Sequence, residues 1–229
     1  MIKPLFPYYG SKWRDAKRYP APHNGYVIEP FAGSAGYSLY YEPDRVLLLD
    51  VDPIIVGVWQ YLIAVKASEI LSLPDLDVGE SVDDLVLPQE ACWLIGFWLN
   101  RGSAQPKKTK TAFSARTERS QLVWSQRARE RIAADVHRVD HWVVKQASYD
   151  SEPFADATYF VDPPYVDKGR YYRYSSVDYH RLGVWCRWCP RAIVCEQAGA
   201  DWLPFEPLAT IKSTKGTSAE AVWLSSTLL

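Results

Sequence analysis

The chain lacks most of the features that would assign it a class at sight. Cysteine is scarce: Cys92, Cys186, Cys189 and Cys195 are the four thiols in 229 residues. That is too few for a disulfide scaffold, and a reducing cytosol suits them. Cys186-x-x-Cys189 has the spacing of half a zinc site, but no second pair exists. With Trp185 and Trp188 beside it, the pair reads as helix packing, and no metal is expected. Long apolar runs are also missing. The most apolar stretch, 46–65, is broken by Asp50 and Asp52, and Met1-Ile2-Lys3-Pro4 opens no secretory segment. The expectation is a soluble cytoplasmic protein with no membrane partner. An excess of one charge is absent as well. Lys and Arg number 26 against 27 Asp and Glu, a net charge of −1, which excludes a uniformly basic coat for nucleic acid. There is no internal repeat and no low-complexity tract. Gly-x-Gly-x-x-Gly is absent too, which counts against a dinucleotide cofactor and a nicotinamide dehydrogenase.

What is present is an ordinary globular composition with 48% apolar residues and 23% charged, enough to build a core without staples. Aromatics are plentiful, with ten Trp and fifteen Tyr. Charge is uneven along the chain. Nine Lys/Arg and two Asp/Glu lie between Arg101 and Arg131, a local balance of +7 that leaves −8 elsewhere. This reads as a neutral body carrying an insert that faces a polyanion.

Secondary-structure signals alternate. Residues 26–28, 46–49, 142–144, 159–161 and 192–194 read as strands, and the unbroken apolar run 46–49 has the pattern of a buried parallel strand. Residues 35–41 begin a helix. Asp52-Pro53 supplies a cap and a proline for a second helix. Residues 68–88 read as an acidic, loop-rich stretch. Further helices are expected from Pro88 to about Asn100, over 125–136 and over 177–189. Residues 208–211 and 221–224 form a terminal antiparallel pair around Lys215-Gly216. The expected fold is α/β, a mostly parallel Rossmann-like sheet with a C-terminal antiparallel hairpin and helices on both faces. The expected division is a catalytic domain of 1–67 and 146–229 with a small insert of 68–145.

Three motifs carry chemistry. Glu29-Pro30-Phe31-Ala32-Gly33-Ser34-Ala35-Gly36 lies between a strand and a helix, where glycine admits a ligand close to the backbone. Asp50 ends the next strand, seventeen residues after Gly33, where a carboxylate can accept from a ribose diol. Asp162-Pro163-Pro164-Tyr165 follows an apolar strand at the position where open α/β sheets bind ligands. Its prolines remove two donors and leave the Asp162 carboxylate and the Pro163 carbonyl as neighbouring acceptors beside the Tyr165 ring. Such a pair suits a planar ligand with an exocyclic amino group. The third motif is Pro7-Tyr8-Tyr9-Gly10-Ser11-Lys12, with Lys12 beside a glycine turn.

In this order the motifs resemble those of the Dam-type DNA adenine-N6 methyltransferases, many of them encoded by phages and restriction-modification systems. The resemblance covers the chain except about 68–145. That stretch is where the family places its target-recognition region, and the basic segment falls inside it. By this resemblance S-adenosylmethionine is the cofactor. Tyr8 and Lys12 help hold its methionine end, and Glu29, Pro30, Phe31 and Gly33 form its loop. Asp50 takes the ribose, with Asp52 the weaker candidate. One glycine of the family loop falls on Ala35, with Gly36 one place later. Asp162, Pro163, Pro164 and Tyr165 match the catalytic tetrapeptide intact.

The implied reaction bonds both hydrogens of a flipped adenine amino group to Asp162 and Pro163, with Tyr165 stacking on the base. Double-stranded DNA is the implied partner, and a restriction endonuclease an implied counterpart. Lys107, Lys108, Lys110, Arg116 and Arg119 in the insert are the candidate DNA contacts, with Lys168, Arg170 and Arg173 after the tetrapeptide. Two alternatives stay open at this point. An RNA adenine-N6 methyltransferase has the same amino-group chemistry, and an inactive methyltransferase-like module could bind DNA alone.

Overall fold

The computed structural model describes residues 1–99, 103–112, 115, 123–152, 154–167, 169–213 and 216–225. Seven strands form one sheet in the order β3-β2-β1-β4-β5-β7-β6. They are β1 (Tyr26–Glu29), β2 (Arg45–Asp50), β3 (Val143–Gln146), β4 (Thr158–Val161), β5 (Arg191–Gln197), β6 (Glu206–Ser213) and β7 (Gly216–Leu224). The first five pair in parallel, and β7 runs antiparallel to both β5 and β6. The α/β expectation and its C-terminal hairpin agree with this sheet. The parallel part has the doubly wound order, and strand direction of growth reverses between β1 and β4. In such sheets that reversal opens a crevice at the strands' carboxyl ends.

Alternation along the strands explains the two covered faces. Val46 and Leu48 enter one apolar cluster, while Leu47 and Leu49 enter another on the opposite side. The first cluster is roofed by α2 (Pro53–Ala64), α4 (Gln89–Leu99) and α5 (Gln126–Asp135). The second is closed by α6 (Tyr179–Trp188), through Leu182 and Cys186. Residues of the stretch 68–145 therefore share a core with Leu5, Phe6 and Leu39. β3 extends the sheet across position 145, the end of the expected insert.

One local expectation is refined and one corrected. Within the loop-rich stretch 68–88 a short helix, α3 (Ala67–Ser72), forms. Glu69 accepts from the Lys66 N–H at 3.4 Å, and Ile70 turns fully inward. Trp188 is 71% exposed and does not pack, whereas Trp185 meets Tyr149 and Tyr159. Cys186 and Cys189 are both buried beneath the sheet. Among the described residues no metal-holding group of His, Cys, Asp and Glu occurs, and no helix is long and apolar enough to cross a membrane.

The aromatic surplus is largely a core device. Trp59, Trp98 and Trp124 are fully buried, and each indole N–H donates to a backbone carbonyl, of Gly33, Leu5 and Pro74 respectively. A tryptophan can bury its large body only if its N–H finds such a partner.

Candidate active site

The crevice between β1 and β4 is a cavity of about 270 Å³. Every residue that the sequence assigns to cofactor binding lines it: Tyr8, Lys12, Glu29, Pro30, Phe31, Gly33 and Asp50. Asp162 and Pro164 line it from the other side.

The glycine loop is shaped by its backbone. Gly33 has φ +45°, and a Cβ there would stand 3.0 Å from the Tyr8 ring. Ala35 has φ 47° and ψ 47°, so it takes up the left-handed conformation that glycine favours. Alanine at this position thus leaves the turn in place, at some strain. Gly36 then opens α1 (Gly36–Tyr41). A Cβ on Gly36 would lie 2.6 Å from the Trp13 nitrogen and 3.0 Å from that of Lys12. The absence of a side chain is what lets the N-terminal segment cross here and deliver Lys12. Ser11 and Ser34 join the two segments through their hydroxyls at 2.9 Å.

Four of the carboxyl groups on the cavity wall are each held by a different contact. Glu29 is buried and accepts from the Ser38 N–H at 2.8 Å, in the first turn of α1. Burial pushes its pKa up to about 8. Asp50 accepts from the Gly33 N–H at 3.0 Å and the Asp52 N–H at 2.9 Å. Burial raises it to about 6 against those donors. Asp52 caps α2 by accepting from the Ile54 N–H, and burial raises its pKa as well. Asp162 is raised by burial, and Lys12 pulls it back.

Lys12 departs most from expectation. Its ammonium lies 2.9 and 3.1 Å from the two oxygens of Asp162 and donates to the Gly10 carbonyl at 3.3 Å. Burial alone would lower its pKa, but the Asp162 charge outweighs that and holds it above the usual lysine value. The three donors of an ammonium are thereby engaged within the protein.

The tetrapeptide is likewise engaged. Tyr179 donates to the Pro164 carbonyl at 2.6 Å, whereas the Pro163 carbonyl receives no donor among the described residues. Tyr165 is buried, donates to Glu220 at 2.5 Å and does not line the cavity. The open stacking face expected of it is therefore absent. Its ring lies under the Lys12 ammonium, 4.7 Å from it. The exposed rings near the mouth are Tyr171 and Tyr174.

The proposed DNA contacts divide. Lys107 is exposed. Lys108 pairs with Asp83 at 2.6 Å on the surface. Lys110 is a correction: it is buried, and its ammonium donates to the Leu76 carbonyl at 2.6 Å. Arg173 is half-exposed at the cavity mouth, 3.9 Å from Asp52. Arg170 lies in the turn Gly169–Tyr171. Arg116, Arg119 and Lys168 lie outside the described residues.

Several site residues escaped the sequence reading. Tyr149 stacks on Phe31 at 5.7 Å. Asp150 pairs with Arg181 on the cavity wall. Trp59 holds the Gly33 carbonyl, and Tyr172 closes over Gly10. No motif marks them, because each reaches the cavity from a distant part of the chain.

The lining includes Asp50, Asp52, Asp150, Asp162 and Asp178 against Lys12, Arg173 and Arg181. An acidic excess of this kind suits a ligand that carries positive charge. No protein-family model matches the chain, and no curated protein matches it.

Proposed function

We propose that the chain is an S-adenosylmethionine-dependent methyltransferase acting on the N6 amino group of adenine in DNA. The observation that carries the reading is the pair of neighbouring acceptors at the carboxyl end of β4. Asp162 stands on the wall of the cavity that holds the glycine loop and Asp50. The Pro163 carbonyl beside it has no donor of its own among the described residues. The lining fits the cofactor: Asp50 and Asp52 are acceptors for a diol, Phe31 and Tyr149 are flat faces for a base, and the acidic excess favours a sulfonium. When bound, the cofactor supplies an electrophilic methyl group.

The protein's part is to hold the amino group and keep charge where it helps. Asp162 and Pro163 accept its two hydrogens, keep the lone pair on nitrogen and stabilise the positive charge that develops there. Lys12 favours the ionised form of the half-buried Asp162, against the burial that raises its pKa. The two lysine contacts on Asp162 must loosen when the amino group enters. A base in a duplex must flip to reach this turn, at a cost of a few kcal/mol. Tyr174, exposed beside Arg173 at the mouth, offers a ring on which it can stack, worth about 1–3 kcal/mol.

The test is methyl transfer from labelled S-adenosylmethionine to duplex DNA, with structured RNA as competitor. Label appears in adenine of the DNA, and Asp162→Ala lowers kcat about a hundredfold or more. Near-wild-type transfer by that variant overturns the role of Asp162. Label in RNA alone moves the reading to an RNA methyltransferase.

A further inference from the structure

Lys12 stands where the reading above needs an amino group. Its ammonium lies 2.9 and 3.1 Å from the two oxygens of Asp162 and donates to the Gly10 carbonyl at 3.3 Å. The acceptor of the empty cavity is thus already occupied, by a nitrogen of the protein itself. A neutral amino group does not displace it unaided, because an ammonium adds a Coulombic attraction that the amino group lacks. Nor can the ammonium simply withdraw, since removing one partner of a buried ion pair strands the other charge. Lys12 leaves Asp162 only for another anion within reach. That reach is the reach of its side chain. The Lys12 carbonyl accepts from the Asp15 N–H at 3.0 Å and its backbone nitrogen packs against Gly36, so the main chain is held. The four-carbon stem, with rotatable donors at its end, remains able to turn.

Charge along the wall narrows the choice of anion. Asp50, Asp52, Asp150, Asp162 and Asp178 repel a carboxylate that enters the cavity. Arg173 and Arg181 do not offset them inside, because their side chains are 45% and 68% exposed and face Asp52 and Asp150. Lys12, 9% exposed, is the buried cation of the lining among the described residues. S-adenosylmethionine carries a carboxylate on its amino-acid end, and within this lining Lys12 is the cation that can meet it.

We propose that Lys12 is a positioning residue that couples the two halves of the site: it covers Asp162 while the cavity is empty, and turns to the carboxylate of bound cofactor to leave Asp162 open to the substrate amino group. This rests on the reading of the site as an S-adenosylmethionine-dependent amino-group methyltransferase. Coupling of this kind is reciprocal, so the cofactor carboxylate and the substrate amino group tighten each other's binding.

The experiment uses the full chain with a pair of inert ligands and a pair of DNA duplexes. S-adenosylhomocysteine carries the carboxylate, whereas 5′-methylthioadenosine keeps the nucleoside and the sulfur without it. One duplex is a DNA that takes label in the transfer assay above. The other has purine, which lacks the amino group, in place of the labelled adenine. Calorimetric titration gives the Kd of each duplex with and without saturating ligand. S-adenosylhomocysteine tightens the adenine duplex about fivefold or more, the lower end of ordinary coupling between sites, and leaves the purine duplex within about twofold. 5′-Methylthioadenosine leaves both duplexes within about twofold. A crystal structure with S-adenosylhomocysteine shows the Lys12 ammonium on the ligand carboxylate, and one with 5′-methylthioadenosine shows it still on Asp162. Lys12→Met weakens S-adenosylhomocysteine, leaves 5′-methylthioadenosine within about twofold, and abolishes the coupling. Should that variant fail to fold, the comparison of ligands and duplexes on the wild-type chain decides by itself.

Equal tightening by the two ligands, equal tightening of the two duplexes, or no tightening at all overturns the proposal while the methyltransferase reading stands. So does a Lys12 that stays on both Asp162 oxygens with S-adenosylhomocysteine bound. A wild-type chain that transfers no methyl group to adenine overturns the methyltransferase reading instead, and the role of Lys12 in it falls as well.

Discussion

Ala35 and Gly36 stand side by side, and a methyl group meets opposite conditions at the two positions. At Ala35 the left-handed backbone costs about 1–2 kcal/mol. Glycine there would relieve it, but would lose a buried methyl worth about 0.8 kcal/mol and gain freedom in the unfolded chain worth about 0.4–1 kcal/mol. The terms nearly cancel, so Ala35→Gly shifts stability by less than about 1 kcal/mol. Gly36→Ala instead drives a Cβ into the backbone of Lys12 and Trp13. It costs about 1–3 kcal/mol and pulls Lys12 off Asp162. Urea unfolding of the two variants checks the contrast. The sequence places both residues in the loop, but does not show which one bears the backbone strain. Glu29 adds a pH signature. Its folded pKa of about 8 lies above the ordinary 4.5, so the folded state holds the proton longer. Its contribution to stability is intact below about pH 4.5 and is lost as pH rises toward 8. Asp50, raised to about 6, adds to that fall in its lower part. Chemical denaturation at pH 5 and pH 8 shows a smaller loss for Glu29→Gln than for the wild type, by at least about 1 kcal/mol.

Among the elements, α2 links fold to site. Its start is legible in Asp52-Pro53, and Asp52 does cap it. Its packing places Trp59 under the glycine loop, where the indole N–H holds the Gly33 carbonyl at 2.8 Å. Trp59→Phe keeps most of the ring and removes the donor. It costs about 1–3 kcal/mol, the usual penalty for an unsatisfied buried acceptor. If the proposed cofactor is right, it also weakens affinity for S-adenosylmethionine by loosening the loop, which calorimetric titration measures. α3 shows why some elements escape a linear reading. Its six residues are too few for periodicity to stand out, and tertiary burial of Ile70 does what local propensity cannot. The strands were easier to find, because β2 and β4 are buried on both faces and read as unbroken apolar runs.

At the scale of the whole molecule, the basic segment is less of a polyanion surface than its charge suggests. Lys110 turns inward, Arg129 forms a bidentate pair with Asp75, and Arg131 donates to the Pro4 carbonyl. Lys107 and Arg127 remain exposed. On the proposed reading as a DNA-acting enzyme, Lys110→Met therefore destabilises the fold and leaves the salt dependence of DNA binding as it was. Replacing Lys107 and Arg127 together lowers the slope of log K against log salt by about 1–2 and leaves stability near wild type. Binding titrations across a salt series, with unfolding curves for the same proteins, separate the two effects.

The sequence by itself determined the alternation of strands and helices, the terminal hairpin and the three motifs around the crevice. These depend on apolar patterning and on turn chemistry, which are local. Only the tertiary structure decided how the charged and aromatic side chains are used. Lys12 engages Asp162, Tyr165 engages Glu220, and Lys110 engages a carbonyl, each across a wide gap in the chain. A long polar side chain has the same letter whether it meets solvent or a buried partner. Which one it meets depends on desolvation and on groups that arrive from elsewhere in the fold.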